Sequence, residues 1–78
     1  MNKRIKVLSK PGCHLCVDAI KIVAQVSSEL NVGYEVEEIQ NNPELMHLYG
    51  EEIPVIFVDG KRHDYWRVDP ERLRQALS

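Results

Sequence analysis

Two cysteines are the residues of this 78-residue sequence whose type and spacing could carry chemistry. Cys13 and Cys16 form a C-x-x-C pair between a predicted strand and a predicted helix, which is typical of thiols that exchange with disulfides. A sulfur at the first turn of a helix lies among unpaired amides and the positive end of the helix dipole, which favour a thiolate. We therefore predict that Cys13 is the nucleophile. Cys16 lies closer to the apolar positions Ile20 and Val23, which suits the thiol that resolves a mixed disulfide.

Two cations near this pair could help to stabilise the thiolate. The dipole contributes only about 0.3 to 2 kcal/mol, so amide hydrogen bonds or a nearby positive charge should add to it. Lys10 is charged at neutral pH, whereas His14 would contribute most when it is protonated, below about pH 6.5. Lys10 is the expected helper at neutral pH.

Other roles for the cysteines are less well supported by the sequence. A passive disulfide closing so short a loop would stabilise the fold by only about 2 kcal/mol, and buried cysteines can also serve as small apolar side chains. Zinc could be bound by the two thiolates with His14, His47 or His63, but no second C-x-x-C or paired-histidine motif completes a four-ligand set. We therefore predict no metal site. Covalent haem is excluded because Val17, not histidine, follows Cys16.

The elements that would position this pair follow from hydrophobic periodicity and from turn and cap residues. Asp59-Gly60 is a strong signal for a two-residue hairpin turn. The pattern predicts one domain, residues 1–78, with the order β-α-β-α-β-β-α and a four-stranded mixed sheet flanked by helices. The expected strands are Lys3–Ser9, Tyr34–Ile39, Ile53–Val58 and Lys61–Trp66, and the expected helices run from Cys13 to near Asn31, from Asn42-Pro43-Glu44 to Gly50, and onward from Asp69-Pro70-Glu71.

A proline about forty residues after the cysteines heads the third strand. Given the C-x-x-C context, we predict that the Ile53–Pro54 peptide bond is cis. The backbone of Ile53 would then face outward and could pair with an extended substrate as an added strand. Trp66 is expected to pack in the core, His63 to lie on a solvated strand face, and the apolar residues of the second helix to be core, namely Leu45, Met46, Leu48 and Tyr49.

The segment Leu8–Cys16, the tripeptide Ile53-Pro54-Val55 and the element order resemble the glutaredoxin-like branch of the thioredoxin superfamily. Over nearly all 78 residues the chain is most similar to short bacterial proteins known as a glutaredoxin-like domain of unknown function. The resemblance implies a thioredoxin-like α/β fold, an attacking Cys13, a resolving Cys16 and a cis-proline, Pro54, facing them. The residues around these groups are expected to bind substrate: Lys10, Pro11, Gly12, His14, Leu15, Ile53 and Pro54.

The resemblance also implies an activity and its partners. We expect an enzyme, a thiol-disulfide oxidoreductase that maintains redox homeostasis by reducing a disulfide-containing protein or a glutathionylated substrate. No cofactor is expected to be bound, and electrons would come from glutathione or a thioredoxin-reductase-type enzyme. Trp66-Arg67-Val68-Asp69 replaces the Gly-Gly-x-Asp-like turn with which glutaredoxins hold glutathione. The alternative is a noncatalytic domain that binds metal or is redox-inactive.

Composition narrows the possible partners and the location of the protein. A net charge of -2 with both signs spread along the chain gives no strong field for nucleic acid or an anionic membrane. No apolar run has the length of a signal peptide or the roughly 20 residues of a membrane span. We expect a monomer in the reducing cytoplasm, where two cysteines need a functional reason.

Overall fold

A computed structural model describes residues 3–78 of the chain. Seven elements follow one another in the predicted order β-α-β-α-β-β-α. The strands are β1 (Lys3–Ser9), β2 (Gly33–Glu38), β3 (Val55–Val58) and β4 (Lys61–Tyr65), and the helices are α1 (His14–Leu30), α2 (Pro43–Tyr49) and α3 (Pro70–Leu77). The predicted bounds differ from these mainly at element ends, where hydrogen bonding fades gradually.

The four strands form one mixed sheet in the order β2-β1-β3-β4. β1 and β2 are parallel and are joined through α1, whereas β3 is antiparallel to both β1 and β4. The Asp59-Gly60 turn between β3 and β4 has positive φ at both residues, 52° and 83°, as a type I′ hairpin requires. This arrangement confirms the predicted α/β class, and it places the polar strand β4 at a sheet edge.

Helices cover both faces of the sheet. On one face, α1 and α3 pack against β1 and β3 around a fully apolar core, which includes Ile5, Val23, Ile56 and Leu73. On the other face, the short helix α2 lies over a second cluster containing Leu8, Val55 and Phe57. Within residues 3–78, no helix is both long and apolar enough to cross a membrane.

Two apolar side chains lie outside the core positions predicted for them. Trp66 follows β4 instead of ending it, has a left-handed backbone (φ 64°) and leaves 51% of its surface exposed. Leu48 of α2 is 56% exposed, whereas Leu45, Met46 and Tyr49 pack against the second cluster. Both predictions were therefore wrong.

The prediction that His63 lies on a solvated strand face is confirmed only in part. The β3–β4 register shifts so that β4 has one extra residue, His63, between Arg62 and Asp64, which pair with Phe57 and Ile56. Such a bulge re-aims the side chain of the extra residue. His63 is half-buried near Ala76 of α3, and its Nε2 atom is buried without a hydrogen-bond partner within residues 3–78.

Candidate active site

The first turn of α1 holds Cys13 at its N-cap. Cys13 has an extended backbone (φ -96°, ψ 110°), and its Sγ accepts a hydrogen bond from the backbone N–H of Cys16 at 3.2 Å. The first helical backbone bond runs from the N–H of Val17 to the Cys13 carbonyl oxygen, also 3.2 Å. The sulfur thus satisfies one of the free amides with which every helix begins, and it lies where the helix dipole favours negative charge.

Gly12 allows the chain to enter the helix in this way. Its φ of +74° lies in the left-handed region, which side chains other than glycine adopt at a cost. A Cβ added at Gly12 would meet nothing within 4 Å. The backbone conformation, and not lack of space, is what requires glycine just before Cys13.

The two thiols lie in different surroundings. Cys13 is half-buried, whereas Cys16 is only 2% exposed, within the cluster formed by Leu8, Ile39 and Ile53. Burial is the main cause that raises the pKa of the Cys16 thiol, and its hydrogen bond with Cys13 raises it further. Contacts with the Ser9 side chain and the Lys10 backbone act in the opposite direction without cancelling the effect. Cys16 is therefore held as a neutral thiol at neutral pH.

The loop before β3 borders the same cluster. Its Ile53–Pro54 peptide bond is cis, as predicted. Ile53 packs in the cluster that contains Cys16 and against which Cys13 lies, and Pro54 is fully buried. The structure therefore brings this loop and both thiols together.

Three contacts attach this loop to β4 and the residues after it. The backbone N–H of Trp66 donates to the Pro54 carbonyl oxygen at 2.8 Å, and its indole Nε1 donates to the Glu51 carbonyl oxygen at 2.9 Å. Arg62 of β4 forms an ion pair with Glu52 at 2.7 Å. Arg62 of β4 and Trp66 after it thus hold the loop that borders the thiols.

A cavity of about 410 Å³ opens beside the cysteines. Both cysteines line it, as do most of the predicted substrate-binding residues: Lys10, Pro11, Gly12 and His14. Leu15 lines a different cavity. Ile53 contacts the site through the apolar cluster instead of through this cavity, and Pro54, although fully buried, belongs to neither the cavity nor the cluster. Ser9, Val17, Ile20 and Glu38 line the cavity and were not predicted.

Glu38 reaches the cavity because of strand register. β1 and β2 are parallel, and Ser9 at the end of β1 is aligned with Glu38 at the end of β2. The carboxyl ends of parallel strands meet at one edge of the sheet, so a predicted β1-α1-β2 unit was a signal that could have identified this position. Within the described chain, no three His, Cys, Asp or Glu side chains come together to hold a metal ion.

The fold and the paired cysteines at the start of α1 define a thioredoxin-like protein. Residues 4–78 match the family described as Glutaredoxin-like domain (DUF836), and the chain belongs to that family. An uncharacterised protein of Mycobacterium tuberculosis is 36% identical over 80 residues, covering 96% of this chain and 82% of the relative.

Solved structures give the same result for the fold. A protein of Nitrosomonas europaea, determined by NMR, is 28% identical and superposes with a TM-score of 0.83, covering 100% of this chain and 95% of the other. Thioredoxin of Fasciola hepatica, at 20% identity, superposes with a TM-score of 0.61 over 94% of this chain and 75% of its own. The thioredoxin-like fold is thus shared well beyond the family.

Proposed function

We propose that this protein is a thiol-disulfide oxidoreductase that reduces protein disulfides or glutathione mixed disulfides by a dithiol mechanism. One observation carries the proposal: an accessible Cys13 sulfur accepts the Cys16 N–H at a helix start, while the Cys16 thiol three residues on is buried. A half-buried sulfur beside a cavity suits attack on a substrate. A buried, neutral thiol suits the later step, when the target is already attached.

The first step is attack by the Cys13 thiolate on one sulfur of the substrate disulfide. The substrate S–S bond breaks, its leaving sulfur takes up a proton, and Cys13 becomes joined to the other sulfur. The N–H of Cys16 and the dipole of α1 stabilise the negative charge on Cys13 before attack.

The second step is attack by Cys16 on the Cys13 sulfur. The Cys16 thiol loses its proton, a Cys13–Cys16 disulfide forms, and the second substrate sulfur leaves as a thiol. Two electrons have then moved from the enzyme to the substrate. Since the pKa of Cys16 is raised mainly by burial, its deprotonation is expected to limit this step at neutral pH.

Regeneration needs an external dithiol or two monothiols. Glutathione or a thioredoxin-reductase-type enzyme would return two electrons to the Cys13–Cys16 disulfide in the cytoplasm, where thiols are kept reduced. The cavity of about 410 Å³ beside the thiols lies within the range of roughly 300 to 1,000 Å³ that small ligands occupy. That size supports glutathione as one of the molecules that react here.

The test uses two substrates and two matched variants. Wild type should reduce insulin and a glutathionylated peptide, with glutathione and its reductase, or thioredoxin reductase, as alternative donors. Cys13→Ser should abolish turnover. When the thiol donor is left out, Cys16→Ser should retain the first step and accumulate a mixed disulfide, seen by intact mass as the protein plus its substrate, because no second thiol is present to attack it.

Two results would overturn the proposal. The first is a wild-type protein that reduces neither substrate with either donor. The second is retention of zinc through purification with both thiols protected from alkylation, which would favour a noncatalytic metal-binding domain. A Cys16→Ser variant that never traps substrate while wild type turns over would refute the order of attack.

A further inference from the structure

Trp66 combines a strained backbone with an exposed side chain. Its φ of 64° is left-handed, a conformation that is a genuine outlier for a bulky residue. Trp66 is 51% exposed, so burial in the core does not account for its backbone conformation. Backbone strain that the core does not require is a reason to look for a function at that residue.

The indole is fixed in place. Its N–H donates to the Glu51 carbonyl oxygen at 2.9 Å, and its ring meets the Tyr65 ring edge-on, with 5.1 Å between centroids. Tyr65 is held in turn by the Arg62 guanidinium, 5.0 Å from the Tyr65 ring centroid. A rigid, half-exposed aromatic ring binds with little loss of conformational entropy.

Trp66 forms one wall of a second cavity. This cavity of about 160 Å³ runs between α1 and the segment after β4, and Leu15, Ala19, Ile22 and Val68 supply its apolar lining. Leu15 stands between the two cysteines, so the cavity begins on the turn of helix that carries the thiols. Its volume is below the roughly 300 Å³ at which small-molecule sites begin. One apolar side chain is a better match than a whole ligand.

The charges at this cavity complement a peptide. Asp18 and Arg67 also line it, both are exposed, and neither forms an ion pair with another residue in the part of the chain that the structure describes. A carboxylate accepts hydrogen bonds from peptide N–H groups, and a guanidinium donates to peptide carbonyl oxygens. Together they match the two polar groups of an extended backbone.

From these observations we infer that Trp66 determines specificity for polypeptide disulfides. An apolar side chain near the substrate cysteine packs against the indole, while the adjoining backbone lies between Asp18 and Arg67. This inference rests on the proposed oxidoreductase function and names its substrate class. Small disulfides, which have no such chain, do not use this surface.

The experiment compares insulin with 2-hydroxyethyl disulfide as substrates of Trp66→Asn, because asparagine tolerates a left-handed backbone. Trp66→Phe also lacks the indole N–H that donates to Glu51, so it is the baseline for Trp66→Asn. Relative to Trp66→Phe, the KM for insulin should be about tenfold higher in Trp66→Asn, the change produced by losing roughly 1.4 kcal/mol of contact. The kcat/KM for the small disulfide should agree between the two variants within about twofold. Leu48→Asn is the matched control, because Leu48 is also large, apolar and exposed but lies on α2. It should leave the kinetic constants for both substrates unchanged.

Trp66→Phe separates contact from attachment of the loop. Phenylalanine keeps an aromatic ring but cannot donate to Glu51, so it should retain most of the affinity for insulin. If both Trp66 variants lose activity on both substrates in proportion, or if Trp66→Asn leaves the KM for insulin unchanged, the inference is overturned. If wild type reduces neither substrate, the proposed function itself fails, which is a different result.

Discussion

Cys13 has two roles that can be separated by mutation, one in the proposed chemistry and one in helix capping. Its sulfur accepts the Cys16 N–H at 3.2 Å. A serine oxygen can accept the same bond and is among the preferred N-cap groups, whereas alanine cannot accept it. Replacing a capping side chain with alanine costs about 1 kcal/mol, within a range of about 0.5 to 2. For a chain of this size, 1 kcal/mol moves Tm by about 4 to 8 °C.

We therefore expect Cys13→Ser and Cys13→Ala to be equally inactive but unequally stable. Because a thiol sulfur is a weak acceptor, Cys13→Ser should unfold no earlier than reduced wild type. Cys13→Ala should melt about 4 to 8 °C below Cys13→Ser, the shift expected for about 1 kcal/mol. Thermal and urea unfolding would be measured in excess reductant, with equal m values confirming that only stability has changed. Equal melting temperatures for the two variants would refute the capping role of the sulfur.

Three further results are expected. In Cys13→Ser, iodoacetamide should label Cys16 at pH 7 more slowly than it labels a peptide cysteine, because burial raises the pKa of Cys16; an equal rate would contradict this. The hydrogen bond from Arg4 lowers the pKa of Asp59 in the folded protein. The ion pair therefore stabilises the fold above the pKa that Asp59 has in the unfolded chain, and this stabilisation is lost as the pH falls through the lower pKa of the folded state. Urea midpoints of Asp59→Asn should accordingly lie below wild type at pH 6 and approach it near pH 2, and a constant gap would argue against the pair. Gly12 has a positive φ, so Gly12→Ala should lower the free energy of unfolding by roughly 1 kcal/mol. Gly12→Asn should lower it less in the same unfolding assay. Equal stability of wild type and both variants would contradict this prediction.

Local signals explain why the element order could be predicted from the sequence. Asn42 and Asp69 each precede a proline, and in the structure their side chains accept backbone N–H bonds at the starts of α2 and α3. Asn31 ends α1 in a left-handed conformation. Caps, turns and hydrophobic periods act over three or four residues, so they can be recognised without knowing what lies elsewhere in the fold.

The positions that were predicted wrongly or only in part depend on contacts between distant residues. His63 is the extra residue in the pairing of β4 with β3, and the polar pattern of β4 does not reveal a bulge. Leu48 fits the helical spacing of the other apolar residues of α2, yet it stays exposed because the short helix α2 does not turn it toward the sheet. Trp66 is held by a bond to Glu51, fifteen residues away. Tertiary contacts of this kind override local preference.

The same distinction divides the candidate site. Cys13 at the start of α1 follows from its neighbours in sequence, whereas the two cavities beside it depend on which strands and loops are adjacent. His14 and Val17 line the cavity that contains the thiols, and Leu15 and Asp18 line the cavity beside Trp66. Because successive helical residues point about 100° apart, one turn of α1 presents the thiols and the proposed substrate contacts on different sides. The residues between the cysteines could therefore change with the substrate while Cys13 and Cys16 keep their geometry.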